Sequence, residues 1–448
     1  MIRHNLGTLL GGLQALRRPA QYKRKYLQAE ERLRRDLARQ ADGGPDLTTR
    51  EFARSAMDLM ADYTNDFFAL LLATEIARSR LKRLFQDEAQ EIRDQLNYLE
   101  RALPNNITIE MGLSMHRLSS YAELGECVSG QEFASRLKAG AFSSELLRAW
   151  EEFMESYGFR TPMEMDPATP RFYEQPARFF EQLRTMAESA DTDHNPQAIF
   201  DRAVAQRKGA YQALLQLARQ KGKGKAKRFR RNYDILIEFA GYRETPKYFF
   251  VLMTDLFRRR VLAAAESLVQ EGRLDHPQQA FDLTMDEFDQ AVVDPSLNLR
   301  ALAEKNTRFL RGLGHLRGFP RVIDSRGKIL RPPRKESRKG ELIGEPISPG
   351  TTIGRANVLH QPDEKPVLPG DILVTRTTDP GWTPLFLNAA GIILEVGGML
   401  QHGALVAREY GKPCVSGLEN ATKVLQDGQM VELDGTNGIV RLIQEKSK

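Results

Sequence analysis

Cysteine is nearly absent from this chain: Cys127 and Cys414 are its only two, and they lie far apart. That excludes a disulfide framework and a cysteine metal cluster, and it fits a reducing, cytoplasmic setting. No apolar run approaches the length of a membrane span, so no membrane association is expected. The histidines other than His402 (His4, His116, His194, His276, His315 and His360) are scattered without ligand-type spacing, and no metal site is expected. No G-x-x-x-x-G-K-[ST] phosphate loop surrounds the basic run Lys221–Arg228. That run also lacks the interleaved aromatics of a single-strand binder, so nucleic acid is not an expected partner. It reads as a solvated loop, with a phosphate-attracting lip as the alternative. Acidic residues are missing from the first 29 positions, which superficially imitates a transit peptide. Gly7, Gly11 and Gly12 break the apolar stretch, however, and no clear cleavage site follows, so an exposed basic first helix is expected.

What is present describes an ordinary globular chain. Its 448 residues allow two or three domains, and 41% hydrophobic with 28% charged residues is the usual balance. A formal charge of +6 is compatible with anionic ligands without requiring a polyanion. From Glu51 to about Glu100 the pattern is helical, and Phe67–Leu72 is apolar on every face, which predicts burial inside a bundle. Shorter helices follow to Tyr157, then a proline-rich irregular stretch to Phe172. Helix resumes from Pro176 to Gln220, interrupted near 190–195. Tyr233–Gly272 predicts one long helix or two abutting ones, with Pro246 marking a kink or a fresh start. If the helix continues through the proline, Arg243 and Lys247 share a face. Leu283–Phe288 reads as a capped helix start and Val322–Leu330 as a hairpin.

Residues 331–340 are charged, carry Pro332 and Pro333, and have no apolar anchor; they read as a flexible linker. Beyond them, short β-rich runs at Thr352–Leu359, Ile372–Thr375, Gly391–Leu394, Met430–Leu433 and Ile439–Leu442 alternate with short helices. The expected fold class is therefore multidomain α and α/β. A large, mainly helical domain over 1–330 precedes a small domain over 341–448.

The chemistry concentrates at Gly397-Gly398-Met399-Leu400-Gln401-His402-Gly403-Ala404. The apolar run Ile392–Leu394 before it reads as a buried strand. The helix formers after it stop at Gly411 and Pro413. His402 then falls in the first turn of a helix, where unpaired N–H groups and the positive end of the dipole favour an anion. An imidazole bearing a phosphoryl group would be stabilised there. A histidine packed beside a tight turn is the plain alternative, and the glycines, the strand and the helix together favour the phosphoryl reading. No carboxylate or hydroxyl is placed nearby in the motif to make His402 an acid–base group, so a nucleophilic role is expected.

These residues resemble a known family. Ile347–Gly350, Thr375–Trp382, Glu395–Gly398 and His402–Ala404 with Ala407–Gly411 recur in the order seen in the swivelling β/β/α phosphohistidine domain of the phosphoenolpyruvate-utilising enzymes, which include phosphoenolpyruvate synthase, pyruvate phosphate dikinase and rifampicin phosphotransferase. The helical part is similar to the substrate-binding domain of rifampicin phosphotransferase through Tyr157–Arg160 with Glu164, Asp166, Pro170 and Arg171, then Arg243-Glu244 with Pro246-Lys247, and Phe281–Thr284 with Glu287. The resemblance implies that His402 is phosphorylated, that Gly397, Gly398, Gly403, Thr378 and Arg408 support the phosphoryl group, and that Arg243 and Lys247 contact it on arrival. Arg160, Glu164, Arg171 and Glu244 complete the helical motif, with a structural ion network preferred for the first three. A surface pair bridging to carboxylates such as Glu244 is the alternative for Arg243 and Lys247.

Two departures stand out: Phe159 occupies a position where the family often has His, and Leu400 one where dikinases often have Thr. The second leans toward the rifampicin phosphotransferase branch. No ATP-grasp motif and no pyruvate-handling barrel are found, so the resemblance implies ATP and Mg2+ bound by a separate ATP-grasp subunit that loads His402. The expected activity is phosphotransfer from His402 to a hydroxyl of a small organic substrate. A phosphocarrier serving another protein and a non-catalytic binding or regulatory relative remain as alternatives. The substrate pocket is expected between helices, near Phe67, Met111 and Met115.

Overall fold

Helix signals set the first two thirds of the molecule. In a computed structural model, residues 2–42, 48–188, 196–313, 322–330, 340–362, 364–398 and 401–443 are described. The helices are α1 (Ile2–Arg17), α2 (Pro19–Asp42), α3 (Thr49–Leu84), α4 (Gln90–Tyr98), α5 (Ile107–Ser119), α6 (Ala122–Gly125), α7 (Gly130–Lys138), α8 (Ser144–Tyr157), α9 (Pro176–Glu188), α10 (Pro196–Gln220), α11 (Lys223–Phe239), α12 (Thr245–Gln270), α13 (Met285–Val293) and α14 (Leu299–Leu313). Capping boxes start two of them: Thr48 with Glu51 at α3, and Thr284 with Glu287 at α13. Among the described residues, no helix is long and apolar enough to cross a membrane.

Several local expectations change. The first helix is docked, not simply exposed: Ala15 and Leu16 are buried, and a Cβ on Gly11 would lie 2.8 Å from the Ala69 Cβ. Glycine there lets α1 lie hard against α3. The basic run expected as a loop is helical from Lys223, because the residues between its glycines are good helix formers and Phe229 anchors the helix in the core. Phe67, Ala69 and Leu70 are buried as expected, but Phe68 is about half exposed. Pro246 makes a fresh start: Ala240–Glu244 is a 3-10 turn, and α12 opens at Thr245 with the proline in its first turn. Arg243 and Lys247 therefore do not share one continuous helix.

The C-terminal part is built on strands. The expected hairpin is β1 (Val322–Ile323) with β2 (Ile329–Leu330), antiparallel and turning at Gly327 with φ +80. Then come β3 (Glu341–Ile343), β4 (Glu345–Ser348), β5 (Thr351–Leu359), β6 (Ile372–Thr375), β7 (Gly391–Leu394), β8 (Cys414–Ser416), β9 (Met430–Asp434) and β10 (Ile439–Leu442). The short β3, β4 and β8 escape the sequence pattern. Interspersed are α15 (Thr383–Asn388), α16 (His402–Glu409) and α17 (Ala421–Val424). Of the expected linker, 331–339 lies outside the described residues.

The sheet runs β3-β10-β9-β5-β6-β7-β8-β4, with β5 through β8 parallel and the flanking pairs antiparallel. Period-two alternation sends Leu373, Ile392 and Leu394 to one face and Ile372, Val374 and Ile393 to the other. The first face is covered by α15 and α16, and their core is continuous with that of the helical bundle. The crossover helix α16 thus lies between the sheet and the bundle.

Candidate functional site

In parallel sheets, ligands gather outside the carboxyl ends of the strands, where loops lead into helices. Here the loop after β6 carries Thr378 and Asp379, and the loop after β7 carries Gly397 and Gly398 and leads to His402, the first residue of α16. The register that pairs Thr375 with Leu394 brings the two loops side by side. Two of the glycines serve close packing. A Cβ on Gly397 would fall 1.2 Å from the Ser416 Oγ, and one on Gly403 would lie 2.4 Å from the Thr378 Oγ1. Gly398 has open space around it. Thr378 thus sits against the first turn of α16, and its buried Oγ1 has no hydrogen-bond partner among the described residues.

His402 is 9% exposed and edge-on to Phe386. Its Nδ1 faces the Glu244 Oε2 at 3.4 Å, across the boundary between sheet and bundle, while its buried Nε2 has no hydrogen-bond partner among the described residues. Burial would raise the Glu244 pKa, but the hydrogen bond and charge of His402, with Arg243 and Lys247, outweigh it and hold the carboxyl at about 2. When the ring is neutral, an ionised carboxylate at Nδ1 fixes the remaining proton there and leaves the Nε2 lone pair free, which is the state a nucleophile needs. The sequence motif carried no such partner; tertiary packing supplies it.

The remaining expected residues fall into two groups around this contact. Arg243 Nη2 donates to the Glu409 Oε1 at 2.9 Å, and its Nε lies 3.8 Å from the Glu244 Oε1. Lys247 Nζ is 3.1 Å from the Glu164 Oε1. Glu164 is fully buried and also receives the Arg160 Nε at 2.5 Å; its pKa is driven down by Arg160 and Lys247 against burial. Arg171 donates to the Glu164 backbone carbonyl at 3.0 Å and faces Asp255 at 3.7 Å. The motif expected as an ion network is arranged as one, and Lys247 links it to the histidine site. Losing one partner of such a buried pair costs about 3–5 kcal/mol.

Three participants were not singled out from the sequence. Glu409, on the last turn of α16, accepts both 2.7 Å hydrogen bonds of the Asn106 Nδ2. Asn106 meanwhile caps α5, its Oδ1 accepting from the N–H groups of Thr108 and Ile109. Burial, joined by the charge of Glu244, pushes Glu409 up to about 7 despite Arg243, Arg408 and Asn106. Asp379 accepts the Met163 N–H at 2.7 Å, with Met163 held at φ 57. Glu409 stood inside a recognisable motif, but no local signal points to Asn106 or Met163 as its neighbours' partners.

Beside this contact lies a cavity of about 630 Å3 between α3, α4, α11 and α16. Phe67, Leu70, Leu99, Phe239 and Leu405 make much of its wall, and Arg78, Arg243 and Arg408 with Glu100 and Glu244 bring charge to it. Phe67 was expected at the pocket; Met111 and Met115 are instead fully buried core. Burial pushes the Arg408 guanidinium pKa down, and so does nearby Arg243. Among the described residues, no group of three His, Cys, Asp or Glu side chains converges to hold a metal ion.

Residues 65–244 match the family described as the rifampicin phosphotransferase fourth domain, and residues 367–438 match the PEP-utilising enzyme mobile domain. Over 355 residues the chain is 32% identical to the rifampicin phosphotransferase of Bacillus subtilis, covering 77% of this chain and 41% of that protein. It is 33% identical over 360 residues to that of Streptomyces sviceus, with the same two coverages. A phosphoenolpyruvate synthase of Aeropyrum pernix is 42% identical over 133 residues, 28% of this chain and 16% of that protein. The chain thus spans about 41% of the length of the curated rifampicin phosphotransferases it matches.

Proposed function

We propose that this chain, which belongs to the family of PEP-utilising enzymes, carries a phosphoryl group on His402 and delivers it to a hydroxyl of a small organic substrate held in the 630 Å3 cavity. The observation that carries the reading is the meeting of His402 with Glu244. It places a buried imidazole, its Nε2 unpartnered, against a residue that also lines the cavity.

In this reading the acceptor oxygen bonds to phosphorus as the bond to Nε2 breaks, and the bonding pair returns to the ring. The hydroxyl proton passes to an oxygen of the transferred phosphoryl group. Glu244 keeps the proton on Nδ1 throughout, and phosphoryl transfer depends chiefly on such positioning and charge. Thr378 and the first turn of α16 offer donors to the phosphoryl oxygens. Arg243, Arg408 and Lys247 supply positive charge, with Arg243 exchanging Glu409 for the phosphoryl group. The apolar wall favours a substrate with a large apolar body.

ATP with Mg2+ would supply the phosphoryl group. Following the family resemblance, we assign both to a separate ATP-grasp subunit. His402 would reach that subunit by a swing of the sheet-bearing part away from the bundle.

The test is to incubate the protein with candidate ATP-grasp partners and labelled ATP. Acid-labile label that disappears in His402→Ala is the expected result. Label that survives the substitution, or no label with any partner, would leave a non-catalytic relative as the reading. Passage of label to a protein and never to a small hydroxyl compound would make the chain a phosphocarrier.

A further inference from the structure

A second cleft, also about 630 Å3, opens on the bundle between the ends of α1 and α3 and the first half of α11, apart from the residues described above. Five arginines line it: Arg17, Arg80, Arg83, Arg228 and Arg231. Arg80 and Arg83 lie three apart on one helix, as do Arg228 and Arg231 on another, so each pair presents neighbouring guanidiniums. Elsewhere in the bundle, arginines meet carboxylates: Arg78 holds Glu100 with two N–H groups and Arg258 holds Glu174 likewise. Among the described residues, none of the five cleft arginines lies within ion-pairing distance of a carboxylate. Arg231 donates only to the Leu16 carbonyl, at 3.1 Å.

Part of this charge is also placed against a helix dipole. Arg17, Arg80 and Arg83 sit near helix C-termini, where cations are favoured, but Arg228 belongs to the early turns of α11, where they are not. That helix has no acidic residue in its first turn, and Gly222 provides no side-chain cap. An anion in the cleft would relieve both the clustered guanidiniums and the adverse dipole.

Asn232 adds an independent requirement. It lines the cleft at 5% exposure, and its Nδ2 donates to the Arg228 carbonyl at 2.7 Å, which leaves the buried Oδ1 without a partner. A phosphate cannot satisfy that oxygen, since it needs an N–H or O–H donor. Leu13, Leu16 and Leu84 furnish an apolar surface beside it. The ligand therefore combines phosphate groups with an apolar face and a hydrogen-bond donor. Guanidiniums match phosphate in paired hydrogen bonds, and the volume is that of a small-molecule site.

We propose that this cleft binds a nucleoside phosphate, its phosphates on the arginines, its ring system on the leucines and an amino or hydroxyl group on the Asn232 Oδ1. The experiment is calorimetric titration of the full chain with ATP, ADP, AMP and inorganic pyrophosphate at fixed ionic strength. Nucleoside di- and triphosphates are expected to bind at least about tenfold more tightly than pyrophosphate, a difference of about 1.4 kcal/mol. The double variant R80A/R228A, altered only at exposed side chains, should keep its circular dichroism melt and lose at least about tenfold in affinity. N232A should weaken nucleotides and leave pyrophosphate unchanged. His402→Ala should bind as the parent does, so this result stands apart from the phosphotransfer reading. Absence of nucleotide binding, binding indifferent to R80A/R228A, or pyrophosphate binding as tightly as ATP would overturn the proposal. So would an acidic peptide that binds through these arginines where nucleotides do not.

Discussion

Glu244 decides what His402 can do. The imidazole alone could take either tautomer, and only a fixed acceptor at Nδ1 keeps Nε2 free. Glu244→Ala should therefore slow single-turnover phosphoryl transfer by about 10²-fold while the fold persists. Glu244→Gln, which can still accept the Nδ1 proton, should fall less. Circular dichroism separates this from unfolding. Because the Glu244 pKa is depressed in the folded state, its contribution to stability is present at neutral pH and lost as the pH drops from about 4.5 toward 2. The residue scale was also where the sequence spoke most clearly. His402 was legible from its glycines and the strand before it, because strand, turn and helix are local events. The role of Glu244 was not, since its partner lies 158 residues away.

At the scale of elements, the boundary between sheet and bundle rests on close backbone approach. A Cβ on Gly381 would lie 2.6 Å from the Pro162 N and 2.7 Å from its Cα. The neighbouring Met163 holds a left-handed backbone with its N–H on Asp379. Gly381→Ala must separate two backbones that cannot yield by side-chain rotation. It should reduce transfer to the acceptor by about 10²-fold, in line with a misplacement of about 1 Å, yet leave loading of His402 unaffected. Comparing label uptake with label delivery reads the two steps apart. A similar fit explains the placement of Arg243. A Cβ on Gly241 would meet the Pro104 carbonyl at 1.8 Å, and that tight turn brings Arg243 and Asn106 together on Glu409. Helix α13 was readable from its capped start, α3 from its helical pattern and apolar run, and the strands that alternate with turns from their β-branched runs. The 3-10 turn before Pro246 was not, because a proline within an otherwise helical pattern permits either a kink or a restart.

Across the whole molecule, Glu409 is one titratable link between the two parts. Its pKa is raised to about 7, chiefly by burial. A carboxyl raised in the folded state stabilises fully below its ordinary value, and that stabilisation is lost as the pH rises through about 7. The association of sheet with bundle should thus weaken as the pH rises from about 4.5 to about 7, by up to roughly tenfold per pH unit, and level off above that. Small-angle scattering across about pH 4 to 8 measures it. Glu409→Gln should flatten the profile. Lys412, lowered to about 8 by burial and Arg202, titrates with the opposite sign, and comparison with the variant isolates Glu409. Retention of the full slope in Glu409→Gln would assign it to another group.

Chain-local physics was sufficient for the division into helical and α/β parts and for the strand–glycine–helix setting of His402, whereas the residues around Arg160 stood out only through the family resemblance. The first two depend on periodicity, capping or turn chemistry within a few residues. Tertiary packing alone brought Glu244 to the imidazole, Asn106 to Glu409 across 303 residues, and α16 to the wall of a cavity built by α3, α4 and α11. Such contacts depend on how buried faces fit together, and no spacing along the chain encodes that fit.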